Sequence, residues 1–342
     1  MNDIIKWGII GLGNVAHGFA NSFDNINNAK LIAIASKTSD RLSNFKNEFN
    51  IDSDNCYDDY EKLLDSDDVD VVYITLPNTF HFQWVMQAIK KNKKILIEKP
   101  AFLTLEQAQI IKRKVEEKKL FFTEGFFYRH LPHISDIIEI INEGEIGELI
   151  SMESSFGLNL LTKKRLFFFK KKKKINPTGR LFNTALGGGC ILDLGCYPSS
   201  FSLLIASLIK NTDYKNFKIL DIKKDIGETG VDIDSSALIQ FEGGFSSLVK
   251  SSFKKDIGSQ SIINGKKGSL TINDTWFGDI IEKKIGDKTY ELKKRNYTKV
   301  FSYEIENISD AILNNLKEVS SPGMTLEETL LNTKILEEWS NA

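Results

Sequence analysis

The chain has 342 residues, with 45 Lys and Arg against 46 Asp and Glu, and a formal net charge of −1. Hydrophobic residues make up 41% and charged residues 27%, an ordinary globular composition that excludes a long disordered chain, a collagen and a coiled rod. At one domain per roughly 100–200 residues, the length predicts two domains. A dedicated nucleic-acid-binding protein usually carries a clear basic excess, so nucleic acid is not predicted as a partner.

Cysteine usage and hydropathy favour a cytoplasmic protein. Cys56, Cys190 and Cys196 form no Cys-x-x-Cys pair, so neither a disulfide framework nor a metal site is predicted. The residues from Met1 to Lys6 lack the charged and apolar regions of a signal peptide. The longest unbroken apolar stretches are far shorter than the roughly 20 residues of a membrane span, so no membrane partner is predicted.

Strand and helix patterns alternate through the first third of the chain. The predicted strands cover residues 7–10, 31–35, 69–76, 94–97 and 120–122, and the predicted helices between them cover 15–23, 39–49, 82–91 and 105–118. Short, nearly all-apolar strands separated by helices indicate a parallel sheet covered on both faces. The prediction is an α/β Rossmann domain with a doubly wound parallel sheet over residues 1–122.

After about residue 123 the apolar residues follow a period of two. The segments with this period are 149–155, 235–241, 245–253, 269–273 and 288–292. They predict an α+β domain over residues 123–342, with an open-faced, mostly antiparallel sheet; its roles in substrate binding and dimerisation are implied only by the family resemblance described below. A last predicted helix, about 325–340, is expected to pack back on the first domain.

The first predicted strand ends in a glycine-rich turn that opens the first helix. Its residues are Gly11-Leu12-Gly13-Asn14-Val15-Ala16, the G-x-G-x-x-A form of the dinucleotide-binding fingerprint. The first glycine permits the tight turn, the second lets the backbone approach a pyrophosphate, and the helix N-terminus stabilises the phosphate charge. Gly11, Leu12, Gly13, Asn14 and Val15 are therefore predicted to bind the cofactor. The alternative is a plain glycine-rich turn without a ligand.

The end of the second strand distinguishes the two dinucleotides. NAD enzymes usually place an acidic residue there to bind the ribose 2′-hydroxyl. This chain has Ser36 and Lys37, with Arg41 one turn later. A hydroxyl with two cations suits a 2′-phosphate, so NADP(H) is favoured over NAD(H). The alternative is that both cations are simply solvated.

One basic segment departs from the balanced composition. Eight basic residues and no acidic one lie between Lys163 and Lys174, around the apolar run 166–169. Consecutive lysines repel one another, so a solvated loop is the favoured interpretation. A lid over an anionic substrate and a nucleic-acid contact are the alternatives.

Two further segments resemble a known family. They are Ile97-Glu98-Lys99-Pro100 and Gly187-Gly188-Gly189-Cys190-Ile191-Leu192-Asp193-Leu194-Gly195-Cys196-Tyr197-Pro198. With the glycine turn, they resemble the glucose–fructose oxidoreductase/inositol dehydrogenase family (Gfo/Idh/MocA) over nearly the whole chain. The family pattern often has His where this chain has Tyr197. That variant resembles the branch containing dihydrodiol dehydrogenases, glucose–fructose oxidoreductase and some sugar-nucleotide 3-ketoreductases.

The resemblance implies an NAD(P)-dependent oxidoreductase of CH–OH groups in a sugar, a sugar derivative such as a sugar nucleotide, another polyol or a cyclic vicinal diol. It implies further cofactor-binding residues, namely Thr75, Leu76, Pro77, Asn78, His81, Glu98 and Lys99. It also implies substrate-binding residues, namely Tyr128, Arg129, Arg180, Asp193 and Tyr197. The open sheet face is implied to form a homodimer or a tetramer. A non-catalytic dinucleotide-binding sensor or regulator is the alternative function.

The chemistry requires a positioned acid/base besides the cofactor. A phenol hydroxyl has an ordinary pKa of about 10, so Tyr197 needs a cation beside it, and Lys99 at a strand end is the expected partner. Asp193, four residues before Tyr197, shares its face if the segment is an α-helix. Lys99, Tyr197 and Asp193 are therefore the predicted catalytic residues. Which of Lys99 and Tyr197 donates the proton stays open.

Overall fold

The structure is a computed structural model that describes residues 4–164, 170–278, 280–292, 295 and 297–342. The chain divides into two units. The first comprises Met1–Leu131 with Thr298–Leu330, and the second comprises Pro132–Tyr297 with Leu331–Ala342.

The first unit is built on a six-stranded parallel sheet. Its strands are β1 Ile5–Ile10, β2 Ala29–Ala35, β3 Cys56–Tyr57, β4 Val71–Ile74, β5 Lys94–Glu98 and β6 Phe122–Gly125. They are ordered β3-β2-β1-β4-β5-β6, and every pairing is parallel. The strand order reverses between β1 and β4, which is the switch point where doubly wound sheets bind ligands. The predicted Rossmann architecture is confirmed.

Helices of the described chain belong to both units, and the last helix is shared between them. They are α1 Asn14–Ala20, α2 Ser39–Phe49, α3 Tyr60–Asp65, α4 His81–Lys90, α5 Leu105–Lys118, α6 Pro132–Asn142, α7 Cys196–Ser207, α8 Val300–Leu313 and α9 Leu326–Asn341. Helices α1 to α5 follow strands of the parallel sheet in sequence, as in consecutive βα units. Two apolar clusters of the first unit contain residues of its strands and of these helices.

The division differs from the predicted boundary at residue 122, which coincides with the first residue of β6. Helix α8 also belongs to the first unit, because its apolar face packs in one cluster with β1 and β2. Ile305 and Ile308 are fully buried there, and the Trp7 indole N–H of β1 donates to Ser309 Oγ at 3.1 Å. Local sequence patterns do not reveal such a return of the chain, since the contacts join residues about 300 positions apart. The division falls within α9, after Leu330.

The second unit contains an eight-stranded sheet. Its strands are β7 Leu149–Gly157, β10 Asp213–Ile226, β11 Asp232–Glu242, β12 Ser246–Ser252, β13 Ser261–Gly265, β14 Gly268–Ile272, β15 Ile281–Ile285 and β16 Lys288–Leu292. Their order is β10-β11-β12-β7-β13-β14-β15-β16. Only the β12–β7 pair is parallel within this sheet. Buried positions alternate along β11, so one face of that strand lies in the core. The predicted mostly antiparallel sheet is confirmed.

The basic segment forms two short paired strands rather than a plain loop. These strands are β8 Thr162–Lys164 and β9 Lys170–Lys172, and they pair antiparallel with Lys163 opposite Lys171. Residues 165–169, and with them the whole apolar run 166–169, lie outside the described residues.

One helical stretch of the described chain, Thr184–Ser207, is long and apolar enough to span a membrane by length and composition. Within its most apolar window, 89% is buried inside the protein, as expected of a helix in a protein core.

We predict that Ile308→Ala destabilises the first unit by about 2–5 kcal/mol, because it leaves a cavity under β1 and β2. Amide exchange should speed up in β1 and β2 while β11 and β12 stay protected. Glu306→Ala, a change at a half-buried position of the same helix, is the control and should cost much less. Equal loss of protection in both sheets would contradict the assignment of α8 to the first unit.

Candidate functional site

The glycine turn after β1 is shaped by close backbone contacts. Gly11 has a φ of +91°, which favours glycine. A Cβ there would lie 2.8 Å from Leu76 Cδ2 and 3.2 Å from the Thr75 carbonyl oxygen. The Thr75 hydroxyl also donates to the Gly11 carbonyl. The turn and the loop after β4 are therefore packed together.

The next glycine leaves space at the start of α1. A Cβ built on Gly13 would meet no atom within 4 Å. Leu12 is buried, whereas Asn14 and Val15 are exposed at this helix end. Backbone N–H groups at a helix N-terminus stabilise phosphate charge. The residues of this turn thus fit a dinucleotide pyrophosphate.

The end of β2 carries a cation held by two aromatic rings. Lys37 Nζ lies 5.3 Å from the ring centroid of Tyr60 and 5.8 Å from that of Trp84, within cation–π range. Burial raises the pKa of the Tyr60 hydroxyl, so this phenol stays neutral beside the lysine. Ser36 is buried and its hydroxyl accepts from Thr38 N–H at 3.1 Å. Arg41 is exposed on α2.

Sequence analysis missed Tyr60 and Trp84 as partners of Lys37. They come from α3 and α4, so no short spacing connects them with β2. The sequence offered one clue to Tyr60 and Trp84, which is that both are large aromatic residues located after the third and fourth strands.

A buried histidine contacts the loop after β4. Asn78 is buried and Pro77 is half-buried. His81 is fully buried, with Nδ1 at 3.0 Å from the Pro100 carbonyl oxygen and Nε2 at 2.7 Å from that of Leu76. This predicted cofactor-binding residue therefore links the loop after β4 with the loop after β5.

The end of β5 carries the predicted catalytic lysine. Lys99 is half-buried and precedes a cis-proline, Pro100. The Tyr73 hydroxyl of β4 donates to Glu98 Oε1. Glu124 Oε1 of β6 accepts from the Ala101 N–H at 2.8 Å. Side chains of the two neighbouring strands thus bond to the residues on both sides of Lys99 and Pro100.

Tyr128 and Arg129 lie in the short helical turn after β6, and both are fully buried. Arg129 Nη1 donates to Glu328 Oε1 at 2.9 Å and to the Pro322 carbonyl oxygen at 3.1 Å. A buried guanidinium needs such a partner, because an unpaired charge is costly to desolvate. Arg129 is therefore held in a structural ion pair, and substrate binding by these two residues stays a prediction.

The motif in the second unit is held by a π-helical turn, Ile191–Gly195, that leads directly into α7. Such turns are frequent at functional sites. Asp193 lies in this turn, and its Oδ1 accepts from Arg180 Nη1 at 2.8 Å. Gly189 has a φ of +122°, and a Cβ there would lie 2.3 Å from Asp232 Oδ1. Glycine is therefore required where the turn begins.

Tyr197 lies in the first turn of α7, between two aromatic rings. Its ring centroid is 5.2 Å from that of Phe156 and 5.4 Å from that of Trp276. These two rings fix the orientation of the phenol and were missed by sequence analysis, because they come from β7 and from the loop after β14. The spacing of Asp193 and Tyr197 spans the π-helical turn and the start of α7, rather than a regular α-helix.

The predicted residues fall into two sets. All the predicted cofactor-binding residues lie in the first unit, whereas Arg180, Asp193 and Tyr197 lie in the second. Among the described residues, no group of three His, Cys, Asp or Glu side chains is arranged to hold a metal ion.

Sequence profiles of one enzyme family match both units. The profile described as "Oxidoreductase family, NAD-binding Rossmann fold" matches residues 5–126, and the "GFO/IDH/MocA C-terminal domain" profile matches residues 134–271. The chain belongs to the Gfo/Idh/MocA family of oxidoreductases.

Several Gfo/Idh/MocA proteins are similar over much of their length. The trans-1,2-dihydrobenzene-1,2-diol dehydrogenase of Xenopus tropicalis is 27% identical over 343 residues, covering 97% of this chain and 96% of the relative. The D-xylose 1-dehydrogenase (NADP(+)) of Hypocrea jecorina is 26% identical over 247 residues, covering 69% and 62% respectively. A 3-ketoreductase of Actinomadura kijaniata, crystallised with NADP and TDP-benzene, is similar in fold, with a TM-score of 0.82, 22% identity, and coverage of 98% of this chain and 96% of the other.

We predict that Arg129→Met destabilises the protein by about 3–5 kcal/mol, because Glu328 then keeps a buried, uncompensated charge. Urea unfolding measures this loss. Lys112→Met is the control, because it breaks the partly exposed pair with Glu327 and should cost at most about 1 kcal/mol. An Arg129→Met variant as stable as wild type would contradict the structural assignment.

Proposed function

We propose that the protein is an NAD(P)-dependent oxidoreductase that interconverts a secondary alcohol and a ketone in a sugar, a sugar derivative or a cyclic vicinal diol. The observation that carries the proposal is the glycine turn at the switch point of the sheet. There the space beside Gly13 is unobstructed, and Lys99 directly follows β5. Relatives named as a diol dehydrogenase and a xylose dehydrogenase support the substrate class.

Lys99 and Tyr197 are the proposed acid/base pair. The bound nicotinamide supplies the hydride acceptor or donor. When an alcohol is oxidised, its hydroxyl loses a proton, and this pair accepts that proton by general base catalysis. The Lys99 ammonium favours the anionic form of a nearby oxygen. Phe156 and Trp276 hold the Tyr197 ring in one orientation, which keeps its hydroxyl positioned.

Asp193 and Arg180 are the proposed substrate-binding residues of the second unit. The Asp193 carboxylate accepts from Arg180 and, with two oxygens and about four lone-pair sites, can also accept from a substrate hydroxyl. The Arg180 side chain is 42% exposed, so its remaining N–H groups can donate to substrate oxygens. Glu98, oriented by Tyr73, is proposed to position Lys99 or to bind the cofactor ribose.

NADP(H) is the proposed cofactor. The support is the pair of cations at the end of β2, Lys37 and Arg41, with no acidic residue at the position that binds a ribose 2′-hydroxyl. Tyr60 and Trp84 hold Lys37, so less side-chain entropy is lost when it binds a phosphate. Arg41 offers planar N–H donors to the same group.

We also propose a cytoplasmic homodimer or tetramer that associates through the open face of the eight-stranded sheet. Along β10, every residue is half-buried or exposed in the single chain, with Leu220 and Ile226 among the exposed apolar residues. A sheet face of this kind is stabilised when a second copy covers it.

We predict that the purified protein oxidises members of a panel of sugars and vicinal diols with NADP⁺, and that Tyr197→Phe lowers kcat by about 10²–10⁴-fold, because the acid/base is lost. Absorbance of the reduced cofactor measures turnover. Tyr290→Phe, at an exposed position of β16, is the control and should leave kcat unchanged. Tight NADPH binding without oxidation of any substrate would instead favour the sensor hypothesis.

We predict that Lys37→Glu weakens NADPH binding by about 10–100-fold, because it replaces a charge-assisted bond to the 2′-phosphate by repulsion. The dissociation constant for NADH should change little, which fluorescence titration of both cofactors can establish. Lys30→Glu makes the same charge change at an exposed position of β2 and should leave both constants unchanged. Equal weakening of NADH and NADPH would contradict the NADP(H) assignment.

A further inference from the structure

The peptide group that follows Lys99 and Pro100 has a titratable side chain at each end. The Pro100 carbonyl oxygen lies 3.0 Å from His81 Nδ1, which donates to it when the ring carries its proton on that nitrogen. The N–H of the same peptide group, on Ala101, donates to Glu124 Oε1 at 2.8 Å. The bond to Glu124 and the adjacent His81 ring restrain rotation of this peptide plane. The backbone directly after the lysine is therefore held in one orientation.

Glu124 is an unusual residue to find in this place. It is 1% exposed and lies on β6 opposite Ile97 of β5. Its Oε2 is buried and has no hydrogen bond of good geometry among the described residues, although the nearby Thr329 hydroxyl interacts with the carboxyl and lowers its pKa. A buried carboxyl with so few strong bonds is costly to keep, since desolvating it is compensated only in part. A residue retained at such a cost is a candidate for a role in the reaction.

We propose that Glu124 is a positioning residue for Lys99, holding the peptide after Pro100 so that the lysine side chain keeps a productive geometry; this role rests on the function proposed above. Glu124 acts through the Ala101 N–H and is assigned no contact with substrate. The hydrogen bond from the Ala101 N–H to Glu124 is strongest when the carboxyl is ionised, because a carboxylate accepts a stronger hydrogen bond than a neutral acid.

The groups around Glu124 shift its pKa and so make the strength of this hydrogen bond dependent on pH. The groups that act on Glu124 are Glu98 on β5, Arg129 after β6 and Thr329 on α9, and Arg129 is itself paired with Glu328. Burial raises the pKa of Glu124 to about 7, with a smaller contribution from Glu98, although the Ala101 N–H, the Thr329 hydroxyl and Arg129 lower it. The carboxyl therefore changes charge near neutral pH.

The experiment compares Glu124→Ala, Glu124→Gln and the control Thr123→Val. Glu124→Ala removes the acceptor, and we expect kcat to fall about 10–100-fold, as for a misplaced catalytic group, with the dissociation constant for NADPH changing less than about threefold. Glu124→Gln keeps a neutral acceptor, so kcat should stay near the low-pH value of wild type at every pH, and the rise in kcat that wild type shows at about pH 7 should disappear.

Thr123→Val also removes a buried hydrogen bond of β6, the one from Thr123 Oγ1 to the Met324 carbonyl at 2.9 Å, without touching the loop. It should lower stability but leave both kcat and the pH profile unchanged. Amide exchange of Ala101, measured without substrate, should speed up in Glu124→Ala and stay slow in Thr123→Val. Identical exchange and kcat in the Ala and Val variants would overturn the proposal.

Stability can be measured as a function of pH without any turnover. This measurement therefore separates failure of this proposal from failure of the proposed function. Because the folded state raises the pKa of Glu124, stability from this group is present at acidic pH and is lost as the pH rises to about 7 and above. The unfolding midpoint of wild type should therefore fall relative to Glu124→Gln between about pH 5 and pH 8. A constant difference across that range would overturn the assigned titration of Glu124.

Discussion

The site depends on one constraint, which is that buried backbone groups at the carboxyl edge of the parallel sheet must find hydrogen-bond partners. There each strand gives way to a loop, and the regular ladder no longer supplies those partners. Here the loops and neighbouring side chains supply them for one another. Thr75 bonds to the Gly11 carbonyl, His81 joins the carbonyls of Leu76 and Pro100, and Glu124 bonds to the Ala101 N–H. The cofactor turn and the lysine loop are therefore parts of one hydrogen-bonded edge.

The buried ionisable side chains of the first unit are of two kinds. Arg129 and Glu328 form a compact ion pair, in which each charge compensates the other, so the pair serves structure. Glu124 and Glu304 are buried and form no ion pair within the part of the chain that the structure describes, and burial raises the pKa of both carboxyls. Glu98, bonded to Tyr73, contributes to both shifts because like charges disfavour ionisation. Several carboxyls thus share one small region behind Lys99, and their charges are coupled.

Much of the architecture could be predicted from the sequence because its signals are local. A strand, a Gly-x-Gly turn and a helix follow one another within about twenty residues, so the fingerprint and the parallel sheet were readable. The period of two likewise revealed β7, β11, β12, β14 and β16. Strand β10 was missed, although it is the longest strand, because its polar residues give no apolar alternation. Helix α8 was missed as part of the first unit, because its partners in β1 and β2 lie almost a chain length away.

The sequence by itself determined the fold class, the family and the identities of the residues with chemical capacity, Lys99, Asp193 and Tyr197, because these depend on residue types at fixed short spacings. Tertiary structure alone decided what each side chain touches. It assigned Arg129 to a buried ion pair, placed Lys37 against two rings from different helices, and gave Glu124 the Ala101 N–H. The physical reason is that desolvation and hydrogen bonding depend on neighbours in space, whereas a sequence pattern records only neighbours along the chain.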